Sequence, residues 1–296
     1  MKSSHILLIA ALASLLSCSD EPTIDVIGMI DGQSPNADIR FSGGNGVIMV
    51  QSSAPKIINS PTDDYKVYVG TDMHIDAYAS TTHTDTFLKA FAEDPEAPMT
   101  LILGDLVNGK NSMQMASGRV REIAGDKSGS VFLALGNHDI YFKLWDQWTK
   151  EWGASNYTIQ VKTPSGTDLY ICIDSASGYI GSKQIAWLKD TLDKAERFRH
   201  IIVFTHTHMF KKDMSQGHTS NYPMEETWEL TSLFKRSGVE LFISGHSHCR
   251  DISYFNGVQY VVVDALEEHY PDSETGYMVL EAGDNLDCRF FRFDGK

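Results

Sequence analysis

Tyr65-Lys66-Val67-Tyr68-Val69-Gly70-Thr71-Asp72-Met73-His74 is an apolar, alternating run that breaks at a glycine into an aspartate and a histidine. Alternation over five residues predicts a strand, and the glycine lets the backbone turn as it leaves the sheet. The pattern recurs. Met99-Thr100-Leu101-Ile102-Leu103 runs into Gly104-Asp105-Leu106-Val107-Asn108, and Val131-Phe132-Leu133-Ala134-Leu135 runs into Gly136-Asn137-His138-Asp139. His200-Ile201-Ile202-Val203-Phe204 leads to Thr205-His206-Thr207-His208, and Leu241-Phe242-Ile243-Ser244 leads to Gly245-His246-Ser247-His248. Five strand ends thus deliver Asp, Asn and His, and the reading places them along one edge of a sheet, where open α/β sheets carry their sites. Leu169-Tyr170-Ile171-Cys172-Ile173, Tyr260-Val261-Val262-Val263 and Tyr277-Met278-Val279-Leu280 are further strands. Residues 184–197 carry Ile185, Leu188 and Leu192 at helical spacing. Short strands alternating with helices predict a layered α/β fold.

Asp72 and His74 are two residues apart, as are His246 and His248. On extended backbone such pairs point the same way, so each pair is expected to reach a common site. Carboxylate, amide and imidazole donors without thiolates suit Mn, Fe, Zn or Ni. No CxxC spacing occurs among Cys172, Cys249 and Cys288, so a zinc–thiolate site is not expected. Read alone, Asp105 or Asn137 after a strand is a cap or turn residue; the ordered set points the other way.

In order, D-x-H, G-D-x-V, G-N-H-D, T-H and G-H-x-H resemble the signature of the calcineurin-like metallophosphoesterases, from Asp72 to His248. The resemblance implies a four-layer α/β/β/α sandwich. It implies that Asp72, His74 and His248 hold one divalent ion, that Asn137, His206 and His246 hold a second, and that Asp105 bridges the two. Manganese is the first expectation, with Fe, Zn or Ni as the others. It further implies hydrolysis of a small phosphodiester or phosphomonoester by a metal-bridging hydroxide. His138 then reaches the leaving-group oxygen, and Asp139 orients it. Asp174-Ser175 and Gln184-x-x-Trp187-Leu188 are similar to the cyclic-nucleotide phosphodiesterase-like branch, which favours a diester. No tyrosine follows Asp105 as in purple acid phosphatases, which disfavours a ferric-tyrosinate enzyme. The rival readings are a catalytically inactive metal- or ligand-binding surface lipoprotein of this fold, which the intact ligand set opposes, and a hydrolase of another bond, since fold alone does not fix function.

Several residues near these motifs carry two readings. His208 faces either a substrate mouth or solvent. Arg250 meets either a phosphate or a surface carboxylate. Tyr141, Phe142, Trp145, Trp148 and Trp152 pack in the core or, where exposed, wall a pocket. Asp174 is expected to fix a loop. His83, His200, His218 and His269 have no motif around them and are not expected to be ligands.

The chain has 296 residues and a formal charge of −14, which argues against a nucleic-acid partner because the long-range field repels polyanions. Residues 1–18 read as a lipoprotein signal peptide: Lys2, then a short apolar run ending in Leu15-Leu16-Ser17-Cys18. This ending resembles a bacterial lipobox, with Leu16 where a small residue is commoner; a plain secretory signal with an incidental Cys is the alternative. The expectation is an anchor on Cys18 that tethers the protein in the bacterial cell envelope, on the periplasmic side or the cell surface. Residues 19–64 read as a tether with short strands at Ile24-Asp25-Val26-Ile27 and Val47-Ile48-Met49-Val50, and residues 65–296 as the catalytic domain.

Overall fold

The central strands are buried almost throughout, and the apolar cluster that each residue joins alternates between two faces. In β2 (Tyr65–Gly70), Val67 and Val69 lie in one apolar cluster while Tyr68 packs against another. In β3 (Met99–Ile102), Leu101 faces the first cluster and Ile102 the second. This period of two is what a pleated strand buried on both faces must show. The fold is a computed structural model that describes residues 35–44, 55–109, 112–210, 222–268 and 275–293. Residues 1–34, and with them Cys18 and Ile24–Ile27, lie outside the described residues, as do Val47–Val50, His218 and His269.

The remaining strands among the described residues are β1 (Lys56–Asn59), β4 (Val131–Leu133), β5 (Tyr157–Lys162), β6 (Thr167–Cys172), β7 (Ile201–Phe204), β8 (Leu241–Ser244), β9 (Asp251–Phe255), β10 (Val258–Val262), β11 (Gly276–Ala282) and β12 (Leu286–Arg292). They form two sheets, a seven-stranded one in the order β1-β5-β6-β7-β8-β10-β9 and a five-stranded one in the order β12-β11-β2-β3-β4. The helices are α1 (Ala37–Gly44), α2 (Thr82–Glu93), α3 (Met113–Ala124), α4 (Trp145–Glu151), α5 (Ser182–Leu192) and α6 (Met224–Arg236).

Three apolar cores separate four layers. The middle core joins the sheets face to face, through Val67, Leu101 and Leu280 of one and Ile159, Tyr170 and Ile243 of the other. A second core packs Phe87, Phe91, Val120 and Trp148 from α2, α3 and α4 onto the five-stranded sheet. A third packs Leu188, Leu192, Leu233 and Phe234 from α5 and α6 onto the seven-stranded sheet. The order is helix, sheet, sheet, helix, as expected.

Two expectations change. The donors do not lie along one sheet edge: β2, β3 and β4 are parallel neighbours in one sheet, and β7 and β8 are parallel neighbours in the other. The site is built where the carboxyl ends of both sheets meet. Residues 37–44, read as tether, are helix α1, and Arg40 at its centre is fully buried. Arg40 donates from Nε and Nη2 to both oxygens of Asp174, each at 2.7 Å. Parallel two-bond pairing satisfies a buried guanidinium better than a single contact does. The helical pattern was faint because the segment is polar, and its one anchoring side chain is an arginine.

Candidate metal centre

The chain leaves β2, β3 and β8 through left-handed kinks, and the kinks aim the side chains. Asp72, His74, Asp105, His246 and His248 all have positive φ, at 52°, 45°, 51°, 72° and 50°. For an L-residue this left-handed geometry costs about 1–2 kcal/mol, although Asp, Asn and His tolerate it better than most. The pairs Asp72/His74 and His246/His248 therefore do not converge by strand alternation, as the spacing suggested. They converge because both members are turned out of the extended region, which sends the buried Met73 between them into the apolar core. Such strain collects at functional sites, where surrounding contacts hold it.

Those contacts run between neighbouring loops. Asp72 N donates to Gly104 O (3.0 Å), His74 N to Asp105 O (2.9 Å) and Gly245 N to His206 O (2.8 Å). Gly136 is required by close approach: a Cβ there would overlap the backbone nitrogen and Oδ1 of Asp105.

Each donor then has one atom tied to the protein and another turned inward. Asp72 Oδ2 accepts from Thr71 Oγ1 (2.7 Å) and from His246 N (2.9 Å), while Oδ1 is buried without a hydrogen bond, 3.2 Å from His248 Nε2. Asp105 Oδ1 accepts from His138 N (2.8 Å), leaving Oδ2 3.3 Å from His206 Nε2 and 3.8 Å from His74 Nε2. His206 Nδ1 donates to Leu103 O (2.8 Å), so Nε2 turns its lone pair toward Asn137 Oδ1 (3.0 Å) and His246 Nδ1 (3.1 Å). The Asn137 amide is fixed by donation from Nδ2 to Tyr141 Oη at 2.8 Å. His74 Nε2 and His248 Nε2 stand 3.3 Å apart.

This arrangement of inward lone pairs fits divalent cations. Asp72, His74 and His248 offer ligand atoms close enough to share an ion, and so do Asp105, His206 and His246. The electrostatics agree. Burial opposes charge on His74, yet its contacts with Asp72 and Asp105 prevail and raise it to about 9. His206 is likewise raised to about 9, burial being outweighed by Asp105. Asp105 is buried but is held well below the usual carboxylate range by His206. Two buried carboxylates thus draw protons onto imidazoles that would otherwise be neutral, and metal ions replace protons at such places. His246 is pushed down to about 4 by burial and by His206, which keeps it neutral as a ligand must be.

All seven expected ligand residues come together, and His138 lies beside them with Nε2 4.0 Å from Asp105 Oδ2. Asp139 does not orient His138. Its carboxylate accepts from the backbone nitrogens of Leu106 (2.9 Å), Val107 (3.3 Å) and Gly136 (2.9 Å), tying the Asp105 loop to the Asn137 loop. Burial and Asp105 push Asp139 up to about 7, while those N–H donors favour its anion. The imidazole is held instead by Asn108, whose Oδ1 lies 2.9 Å from His138 Nδ1. An amide oxygen only accepts, so Nδ1 carries the proton and Nε2 faces the centre. Burial lowers the His138 pKa. Asn108 was visible in the sequence as the last residue of Gly104-Asp105-Leu106-Val107-Asn108, but nothing linear paired it with His138.

The neighbouring residues resolve as follows. His208 is buried with its ring 5.8 Å from that of His246, so it is not a solvated loop residue. Arg250 stacks over Phe290 at 4.8 Å. Trp145 and Trp148 are core residues, whereas Tyr141 packs 4.9 Å from His138 and orients Asn137. Asp174 binds Arg40 and Ser155, and Gln184 accepts from Asp174 N at 2.6 Å, so Asp174 fixes a loop as expected.

A family model for calcineurin-like phosphoesterases matches residues 65–250, more than half of the chain. The chain belongs to that family. Its fold is similar to that of a purple acid phosphatase from yellow lupin (Lupinus luteus) seeds, with a TM-score of 0.62 at 16% identity over 83% of this chain and 54% of that one. It is similar to GAP50, the anchor in the inner membrane complex of Plasmodium, with a TM-score of 0.56 at 15% identity over 79% of this chain and 86% of that one. It is also similar to a dimetal phosphatase from Danio rerio, with a TM-score of 0.53 at 12% identity over 76% and 95% of the two chains. At these identities the likeness is one of fold, and the chain spans about half the length of the lupin enzyme. No curated protein sequence matches the chain.

Proposed function

We propose that this protein is a dinuclear metal-dependent phosphoesterase of the bacterial cell envelope. Asp72, His74 and His248 hold one ion, Asn137, His206 and His246 the other, and Asp105 serves both. The observation that carries this reading is the position of Asp105 Oδ2, which faces His206 Nε2 at 3.3 Å and His74 Nε2 at 3.8 Å and so looks into both donor groups at once. Manganese suits the mixed carboxylate, amide and imidazole set, with Fe, Zn or Ni as alternatives. Two ions bound there would supply charge neutralisation for a phosphoryl group and a water acidic enough to react near neutral pH.

The protein's own groups do the rest. His138, 19% exposed at the side chain, is an imidazole outside the seven-residue ligand set with access to an incoming ester. Asn108 holds the Nδ1 proton and keeps Nε2 toward the centre. His138 as the imidazolium gives its Nε2 proton to the departing alkoxide, is left neutral with the proton on Nδ1, and is reprotonated from solvent before the next turnover. Asp139 holds the two loops in register so that Asp105 and Asn137 stay side by side. The substrate is a small phosphoester, a diester by preference, and no nucleic-acid partner is expected at a formal charge of −14. Cys18 carries the lipid that holds the protein at the membrane.

Metal titration of the purified full chain, with a chromogenic phosphate diester and monoester assayed under Mn, Zn and Ni, tests the reading. Two bound ions per chain and faster turnover of the diester are expected. Fewer than two bound ions with no turnover would replace it with an inactive binding lipoprotein. Cys18→Ala is expected to yield soluble, active protein; continued dependence on detergent would remove the anchor.

A further inference from the structure

Glu267 lies beyond residue 250, where the family match ends, and takes no part in the ligand set discussed so far. Its backbone is nonetheless laced to the metal-binding loop. Leu266 N donates to Thr71 O (2.9 Å) and Glu267 N to Asp72 O (3.0 Å), so the chain after β10 runs beside Asp72. The Glu267 side chain is only 8% exposed and puts Oε2 3.9 Å from His74 Nε2. The two aspartates already assigned to the centre stand 3.8 Å and 3.8 Å from the same nitrogen. Seen from His74, Glu267 is thus a third carboxylate at the distance of the other two, contributed by a different part of the chain.

We infer that Glu267 belongs to the metal centre and strengthens binding of the ion held by His74; this rests on the dinuclear reading above. An imidazole nitrogen binds a metal at about 2.1 Å, so an ion on Nε2 lies within about 6 Å of Oε2 whichever direction it takes. In a buried site with little water, a full negative charge at that range acts strongly on a dication. Carboxylate oxygen also favours hard ions, which biases this side of the centre toward manganese.

The test is Mn2+ binding to the purified full chain, measured by calorimetric titration for wild type and Glu267→Gln. Gln keeps the shape and removes the charge. The expected result is two Mn2+ per chain in both proteins, with one site weakened about 10–100-fold in the variant, the range found when groups supporting a metal site are removed. Binding within twofold of wild type at both sites overturns the inference. If the Gln variant does not fold, Glu267→Asp asks the same question by withdrawing the carboxylate by one methylene. Several-fold weaker binding then supports the inference, and unchanged binding overturns it. Failure of the wild-type chain to bind two ions is a different result and falls on the dinuclear reading itself.

Discussion

The two sheets contribute different chemistry to one centre. Loops from the five-stranded sheet bring Asp72, His74, Asp105 and Asn137, which are mostly oxygen donors, whereas loops from the seven-stranded sheet bring His206, His246 and His248, which are all imidazoles. Each half is anchored by the other. His206 Nδ1 donates to the Leu103 carbonyl across the sheet boundary, and His246 N donates across it to Asp72 Oδ2. The carboxylates Asp72 and Asp105 set the charge and the imidazoles beside them answer it, which is why His74 and His206 are both raised to about 9. The lesson is that the site is a property of the interface between the sheets.

The supporting networks differ as well. On the five-stranded side, Asp139 ties two loops through backbone N–H groups. On the seven-stranded side, support reaches back to helix α1. Arg40 pairs with Asp174, and the adjacent Ser175 Oγ accepts from Thr205 Oγ1 (2.7 Å) and Thr207 N (2.9 Å), the residues on either side of His206.

Removing the one group both halves share should do the most damage. Asp105→Asn is expected to lower turnover by more than about 10³-fold and to lose at least one ion, because one carboxylate serves two metals; metal analysis beside a rate assay reads both. Arg40→Ala, which strands the buried Asp174 carboxylate, is expected to cost about 3–5 kcal/mol of stability in denaturant unfolding. A loss below about 1 kcal/mol would mean that the seven-stranded side stands without its helix. His138→Ala is expected to cut turnover about 10²–10³-fold with both ions retained, since it acts on the leaving group; loss of metal would move His138 into the ligand set. The smallest effect belongs to Tyr141→Phe. It removes one hydrogen bond to Asn137, worth about 0.5–1.5 kcal/mol, and should appear as a few-fold weaker metal affinity on the Asn137 side alone.

Much of this was legible without coordinates, because the strands are short apolar runs and each ends in a glycine or threonine followed by a metal-ligating residue type. The layered fold and the order of the candidate donors follow from that repetition, while the assignment of ligands is what the family resemblance implies. Residues whose partners lie far away in sequence were not legible. Asn108 is 30 residues from His138, Arg40 is 134 from Asp174, and Glu267 is nearly two hundred from His74. Where such residues were noticed at all, the sequence suggested the wrong neighbour, as when Asp139 was expected to hold the imidazole next to it. The same limit applies to geometry: spacing by two suggested extended pairs, whereas the left-handed kinks at Asp72, His74, His246 and His248 became clear only with the backbone in place. A sequence records which donors are present and in what local order. Which sheet each one leaves from, which atom of each is tied down and which faces inward are decided when the carboxyl ends of two separate sheets are packed together, because only then does each donor acquire the partner that fixes its direction.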